Sequence, residues 1–423
     1  MQGTASNNAP SSFVVTPHFL SGSFVWLFSI LLLTFNTEIL LDHFFNPRLL
    51  AFTHLLVLSW VTTIIFGALY QLLPVILLCK LYSEKLTLIT YVLLQIGSLG
   101  LFLCFWNKIM DFPLIMSGLI VCLAILFFGI NLFITLLRST VKRIEKTFII
   151  TSFIWLGLTV ILGLFLAINF SHPFLELSHI ELLKIHAHFG VIGWFSQLII
   201  GVASVLIPMF MLAHNLNKRY LTFSYVLINC ALVFGALSKF INLDYGMLIS
   251  FFLGALGILS FLLFIYLAFR ARVKKKLDIG MKKSMMALFF VLLAVGFSIP
   301  VFTNILKLET AYFSILIVGF VSTLIMGQTF KTLPFIIWLK EYKSFVGKEK
   351  TPLPKDLYSD NLAIWQYRIH TLGFVIVLLG ILIKSTIVLQ LGFSLLAMGA
   401  ILYAKNVLNI ILHKRKQYDI INH

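Results

Sequence analysis

Long apolar runs alternate with short polar connections along the whole chain. A helix needs about 20 apolar residues to cross the hydrocarbon core of a bilayer. Twelve runs meet that length, near residues 20–41, 49–79, 87–106, 113–137, 147–169, 181–212, 221–241, 246–269, 284–303, 311–340, 366–386 and 389–412. Only the connection at 341–365 is long enough to hold structure of its own. The pattern predicts an all-α integral membrane protein with one transmembrane domain over residues 1–423.

The composition points to the same class of protein. Of the 423 residues, 60% are hydrophobic and 11% are charged, and the mean hydropathy is +1.02. A soluble domain carries about 25% charged residues, so we expect membrane lipid to cover most of this surface. The formal net charge of +17 does not indicate a nucleic-acid partner, because the basic residues sit in short clusters between the apolar runs.

These basic clusters predict the orientation in the membrane. Of the 32 Lys and Arg residues, 24 lie in the even-numbered connections and the C-terminal tail, and six in or near the odd-numbered connections. The positive-inside rule then places both termini in the cytoplasm and the segments 42–48 and 170–180 outside. No basic residue precedes the first run, so we expect it to remain as a helix in a bacterial cytoplasmic (inner) membrane.

The second, sixth and tenth runs are longer than the others, and each contains a set of four residues at the same intervals along the chain. The three sets are His54, Trp60, Gly67 and Pro74; His188, Trp194, Gly201 and Pro208; and Ser314, Phe320, Gly327 and Pro334. A repeat unit of four helices keeps one orientation, so the spacing predicts three pseudo-equivalent four-helix arcs about an axis along the membrane normal. The arcs cover approximately 20–137, 147–269 and 284–412. The small residues in these runs predict close helix packing.

Three histidines lie at a similar depth in the predicted outer leaflet: His54, His186 and His188. Polar groups at membrane depth are costly and are usually functional, so we consider all three as haem-iron ligands. At 100° per residue, His186 and His188 point about 160° apart and cannot both bind one ion. Leu58, Val61 and Ile65 are predicted to form an apolar wall beside His54. The alternative is that these histidines only form hydrogen bonds between helices.

The remaining candidates are weaker. His18, His43, His172, His179, His214, His413 and His423 are expected to be solvated, although His172 and His179 lie near two glutamates and could bind a metal from outside. His370 is interpreted as a snorkelling or helix-packing residue. The four cysteines form no C-x-x-C pair and are interpreted as small buried hydrophobic residues.

The stretches THLLVLSWVTTIIFGALYQLLP and HAHFGVIGWFSQLIIGVASVLIPMF carry a family resemblance. Together with twelve helices in three arcs, they resemble the catalytic subunit of haem–copper oxidases. They are more similar still to short relatives of that superfamily, including the nitric-oxide-response membrane proteins called NnrS. The likeness covers most of the chain in architecture, but its motifs are confined to the second and sixth helices. It implies a b-type, low-spin haem on His54, with His188 or His186 opposite or with a position open to a diatomic gas.

The departures from the oxidase pattern limit the predicted activity. The tenth run contains no histidine, and neither does the seventh, so the oxidase copper site is not expected and four-electron reduction of oxygen is not predicted. The sequence favours a haem-binding membrane protein that handles nitric oxide or transfers respiratory electrons from a donor partner. The alternative is a membrane transporter or an assembly factor for a small solute, haem or copper.

Overall fold

The computed structural model describes residues 8–77, 79–139, 143–243, 245–302 and 308–415, without the side chains of 75–77. Within these residues, twelve helices are long and apolar enough to cross a membrane, and there is no β-strand. They are α1 Ser12–Thr34, α2 Pro47–Pro74, α3 Glu84–Trp106, α4 Phe112–Leu137, α5 Ile144–Ser171, α6 His179–Met211, α7 Arg219–Phe240, α8 Gly246–Arg270, α9 Ile279–Phe302, α10 Glu309–Phe345, α11 Asp360–Leu382 and α12 Thr386–Ile411. The predicted all-α membrane fold is confirmed.

The first helix begins at Ser12 and not near residue 20. The Ser11 side chain accepts a hydrogen bond from the backbone N–H of Phe13 and caps the helix, and Pro17 lies inside it. The predicted run starts near residue 20 and therefore leaves Pro17 outside the helix. The shift brings His18 into the bundle, where it is fully buried with its ring 4.8 Å from that of Tyr91. The prediction that His18 is solvated is therefore wrong.

The ninth helix also begins earlier than predicted, and it carries a buried lysine. Asp278 accepts a hydrogen bond from the backbone N–H of Met281, so the helix starts at Ile279. Lys283, predicted to lie in a cytoplasmic connection, is buried inside the bundle. Its ammonium donates to Gln366 and lies 4.5 Å from the centre of the Phe330 ring. The long apolar stem of lysine is what makes such burial possible.

The three long helices change from α-helix to π-helix at the same repeat position. The π segments are Leu55–Thr62 in α2, Phe189–Ser196 in α6 and Ile315–Ser322 in α10. Each begins directly after a residue of the repeated set, namely His54, His188 and Ser314. The shared sequence spacing thus corresponds to the same local change in the backbone. Such π segments are often found at functional sites.

The helices pack as a closed ring around the three long ones. Within each predicted arc, the first helix contacts the second and the third contacts the fourth. Helix α4 contacts α5, α8 contacts α9, and α12 returns to α1, which closes the ring. Among the twelve helices, the apolar stretches of α2, α6 and α10 have the largest shares of buried residues, at 72%, 78% and 78%. At the centre, the Trp60 indole N–H donates to the Ser322 hydroxyl over 2.9 Å.

Three glycines at one repeat position let neighbouring helices approach closely. A Cβ atom at Gly67 would lie 2.5 Å from the His18 Cβ, and one at Gly201 would lie 2.8 Å from the Phe148 Cβ. A Cβ atom at Gly327 would lie 2.8 Å from the carbonyl oxygen of Gly280. Each glycine therefore faces the first helix of its own predicted arc. The close packing expected from the small residues is confirmed at these positions.

Candidate cofactor site

The structure brings His54 and His186 together at one cavity. Each ends up in the short α-helical segment that precedes the π segment of its helix. Their ring centroids are 6.3 Å apart, and the ring planes are 28° from parallel. Both rings line one cavity between α2, α3, α4, α5 and α6.

Backbone hydrogen bonds place a hydrogen on the same nitrogen of both rings. The Nδ1 atom of His54 lies 2.8 Å from the carbonyl oxygen of Leu50, and that of His186 lies 2.9 Å from the carbonyl oxygen of Thr159. A carbonyl oxygen only accepts, so Nδ1 carries the hydrogen in each ring. In the neutral ring, Nε2 then holds an unshared electron pair. A neutral imidazole held through Nδ1 in this way is the usual form of a metal-ligating histidine.

Close packing on both sides holds the two rings. The His54 ring stacks on Phe105, with a centroid separation of 5.0 Å. Gly163 of α5 lies against His186, because a Cβ atom there would be 2.8 Å from the His186 Cε1 atom. These supporting residues were missed in the sequence. The Thr159 contact uses a backbone carbonyl, which no sequence pattern reveals, and Gly163 is one of several glycines in apolar runs.

The apolar wall predicted beside His54 is only partly correct. Leu58 lines the cavity, but Ile65 lines a different one, deeper in the bundle. Val61 is fully buried and does not line the cavity of His54. The prediction assumed 100° of rotation per residue. The π segment from Leu55 to Thr62 has more residues per turn, so the positions after His54 rotate away from their expected directions.

His188 faces other cavities. Its Nδ1 atom lies 2.7 Å from the carbonyl oxygen of Lys184, and its Nε2 atom is buried without a hydrogen-bond partner. The ring lines two cavities, neither of which His54 lines. The structure therefore pairs His54 with His186 and separates His188 from them, as the angle between His186 and His188 requires.

The separation of the two rings is the one expected if His54 and His186 were to hold a haem iron between them. A bond of about 2.0 Å from the metal to each nitrogen, and about 1.1 Å more to the ring centre, separates opposite imidazole centroids by about 6.2 Å. The observed centroid separation is 6.3 Å. In the part of the chain that the structure describes, no three His, Cys, Asp or Glu residues form a metal-holding group. A haem brings its own four equatorial nitrogens and needs only two ligands from the protein.

The other histidines occupy varied surroundings. His370 is buried in α11, and its Nε2 atom lies 3.0 Å from the Thr323 hydroxyl of α10, which is a helix-packing contact. His43, His172 and His214 are exposed. The Nε2 atom of His179 lies 2.5 Å from the side-chain amide nitrogen of Asn169. In the described residues, His172 and His179 belong to no metal-holding group.

Comparison with known proteins adds no family assignment. No protein-family model matches the chain, and no characterised protein is significantly similar to it.

Proposed function

We propose that this multi-pass membrane protein binds a haem between His54 and His186 and carries electrons through it. The observation behind the proposal is the pair of imidazoles that line one cavity with their ring centroids 6.3 Å apart. In both rings Nδ1 donates to a backbone carbonyl, so Nε2 is the nitrogen available as a ligand. In this proposal the chain is a short member of the haem–copper oxidase superfamily that lacks the standard copper site.

Ligation from both sides favours electron transfer at this site over gas binding. A haem held by two imidazoles supplies a one-electron carrier whose ligands do not change between the oxidised and reduced forms. Phe105 and Gly163 restrict the movement of the two rings and so keep both ligands in place. Nitric-oxide handling would require a position that no imidazole fills.

The haem would be of b type, and copper forms no part of the proposal. The chain contains no C-x-x-C-H motif for covalent haem attachment. In α7, where an oxidase would place copper ligands, Tyr225 pairs with the Thr151 hydroxyl over 2.9 Å. Asn229 in the same helix accepts a hydrogen bond of 2.8 Å from the Trp155 indole. These polar groups are already used in packing α7 against α5.

The positive-inside pattern supports a position of the proposed site in the outer half of the membrane. His54 and His186 both lie near the N-terminal ends of their helices. The connections that precede these ends carry few basic residues. An electron-donor partner would therefore approach from the outer face of a bacterial cytoplasmic membrane, with both termini of the chain in the cytoplasm.

Haem content and spin state in histidine variants test this proposal. Wild-type protein, His54→Ala and His186→Ala would be purified from haem-sufficient cells, and each would be measured by pyridine haemochrome assay and low-temperature electron paramagnetic resonance. We expect a low-spin haem in the wild type and loss of that signal in both variants. His43→Ala and His172→Ala, at exposed positions outside the helices, are matched controls that should keep it. A full low-spin signal in His186→Ala would refute the assigned pair.

A further inference from the structure

A third histidine, His179, lines the cavity of His54 and His186. It is the first residue of α6, and His186 follows seven residues later in the same α-helical segment. Seven residues are close to two helical turns, so the two side chains lie on one side of α6, about 10 Å apart along its axis. The rings of Phe45 and Phe170 flank His179, with centroid separations of 6.3 and 4.6 Å. His179 therefore belongs to the end of the cavity at the connection between α5 and α6.

A set of hydrogen bonds fixes which ring nitrogen of His179 carries the hydrogen. The Oδ1 atom of Asn169 accepts from the backbone N–H groups of Phe174 and Leu175, over 2.7 and 2.9 Å. The Nδ2 atom of Asn169 therefore faces the Nε2 atom of His179, 2.5 Å away. An amide nitrogen only donates, so Nε2 accepts and the hydrogen of the ring is on Nδ1.

The Nδ1–H group of His179 is a buried donor. Among the described residues, Nδ1 has no hydrogen-bond partner, although the sequence predicts a solvated ring. A buried donor is costly unless an acceptor meets it, so each such group calls for an explanation. None of the described residues that line the cavity is Lys, Arg, Asp or Glu, so the lining offers this donor no carboxylate. A ligand that brings its own acceptor would satisfy it.

We propose that the Nδ1–H group of His179 donates a hydrogen bond to a propionate carboxylate of the bound haem. This inference rests on the proposed function, because it assigns a further residue to the same cofactor. A haem carries its two carboxylates at one edge of an otherwise apolar ring. A hydrogen bond to an ionised carboxylate is about twice as strong as one between neutral groups. His179 is thus a positioning residue that holds the charged edge at the α5–α6 connection.

Trp194 is the competing donor for the same carboxylates. Its indole N–H is also buried without a partner among the described residues, and its side chain lines the same cavity. Trp194 follows His186 by eight residues, whereas His179 precedes it, and Trp194 is only 1% exposed. A charged carboxylate is costly away from water. Residues 172–174, just before His179, are exposed, so the favoured end for the charged edge is that of His179.

Three substitutions at His179 in the full-length protein separate its two ring nitrogens. Asparagine places its amide near the position of Nδ1 and keeps a donor there. Glutamine places its amide near the position of Nε2, which keeps a contact to Asn169 but removes the donor at Nδ1. Phenylalanine keeps the planar shape and removes both. His172→Phe, at an exposed position in the preceding connection, is the control.

Redox titration of the haem and its rate of loss to excess apomyoglobin are the measurements. We expect a lower midpoint potential in His179→Gln and His179→Phe, because a carboxylate without its donor leaves more negative charge near the iron and favours the oxidised form. Both variants should also lose haem about 10-fold faster. His179→Asn and His172→Phe should stay close to the wild type. The low-spin signal should persist in all four, since His54 and His186 are unchanged.

The outcomes separate this inference from the proposed function. Equal shifts in His179→Asn, His179→Gln and His179→Phe would show that His179 only packs against its neighbours, and would overturn the inference. A lower potential in Trp194→Phe, with wild-type values in all three His179 variants, would place the charged edge at the opposite end and would also overturn it. Either result leaves the low-spin haem in place, whereas a wild-type protein without haem would overturn the proposed function itself.

Discussion

A single methyl group at Gly163 should displace one of the two proposed ligands. In Gly163→Ala, the new Cβ would lie 2.8 Å from the Cε1 atom of His186 and 3.3 Å from its Nδ1 atom. Carbon atoms in contact prefer a separation of about 3.5–4.0 Å, so the ring must move by about 0.7 Å or more. The ring cannot move freely, because its Nδ1 atom is held by the Thr159 carbonyl.

This displacement is large compared with what a metal bond allows. Ligand distances at metal sites vary by about 0.2 Å, so a shift of about 0.7 Å breaks or greatly weakens the bond from His186 to iron. Rotating the side chain away from its preferred angle costs only about 1 kcal/mol, so the protein should still fold. We therefore expect folded Gly163→Ala to lose most of its low-spin haem signal and to bind haem about 10-fold more weakly or worse.

Absorption and electron paramagnetic resonance spectra of the purified variant measure the low-spin fraction. Gly157→Ala is a matched control in the same helix, because a Cβ atom there meets nothing within 4 Å. Both substitutions raise helix propensity by about 1 kcal/mol, so a general effect on α5 would appear in both. A wild-type low-spin spectrum in Gly163→Ala, at full haem content, would show that His186 is not a ligand.

Three further predictions follow from the packing and the charges. A valine in place of Gly67, Gly201 or Gly327 should reduce the yield of monodisperse protein in size-exclusion chromatography. Gly296→Val is the control and should not, because a Cβ atom at that position meets nothing within 4 Å. Equal yields would disprove the close helix contacts. Burial raises the pKa of Asp278, but its hydrogen bond and charge interaction with Lys331 outweigh this effect and hold the pKa below its ordinary value. Asp278→Asn should therefore lower the unfolding free energy by about 1 kcal/mol at pH 7. Thermal unfolding should show this difference shrinking as the pH falls below about 3.9, the ordinary carboxyl pKa of the unfolded chain, and disappearing below the lower native pKa. A difference that does not change with pH would contradict the assignment. In a cysteine-free background, His172→Cys should react with a membrane-impermeant maleimide in intact cells and Lys275→Cys only after lysis, and the reverse result would invert the predicted topology.

The hydropathy pattern was sufficient for the fold because each membrane helix must satisfy its own backbone hydrogen bonds. Among its errors are the starts of α1 and α9 and the end of α1, which is Thr34 and not residue 41. Pro17 was placed outside α1 and Lys283 outside α9, although capping by Ser11 and Asp278 begins both helices earlier. Hydropathy is averaged over a stretch of residues and therefore does not detect single capping residues.

The candidate site was predictable only in part. Rotation along a regular helix correctly separated His186 from His188, since both lie before the π segment of α6. The same rotation failed for Val61 and Ile65, which lie within and after the π segment of α2. The partner of His54 depends on how α2 and α6 approach each other, and no local sequence pattern contains that distance.

The optical spectrum of the purified wild-type protein tests the central claim most directly. The protein would be purified in detergent from cells supplied with haem precursor, and its Soret and α bands would be recorded before and after reduction by dithionite, together with haem content per chain. We predict at least one haem per chain, with the sharp reduced α band of a low-spin b-type haem held by two imidazoles. A colourless protein that is folded and monodisperse would contradict the account.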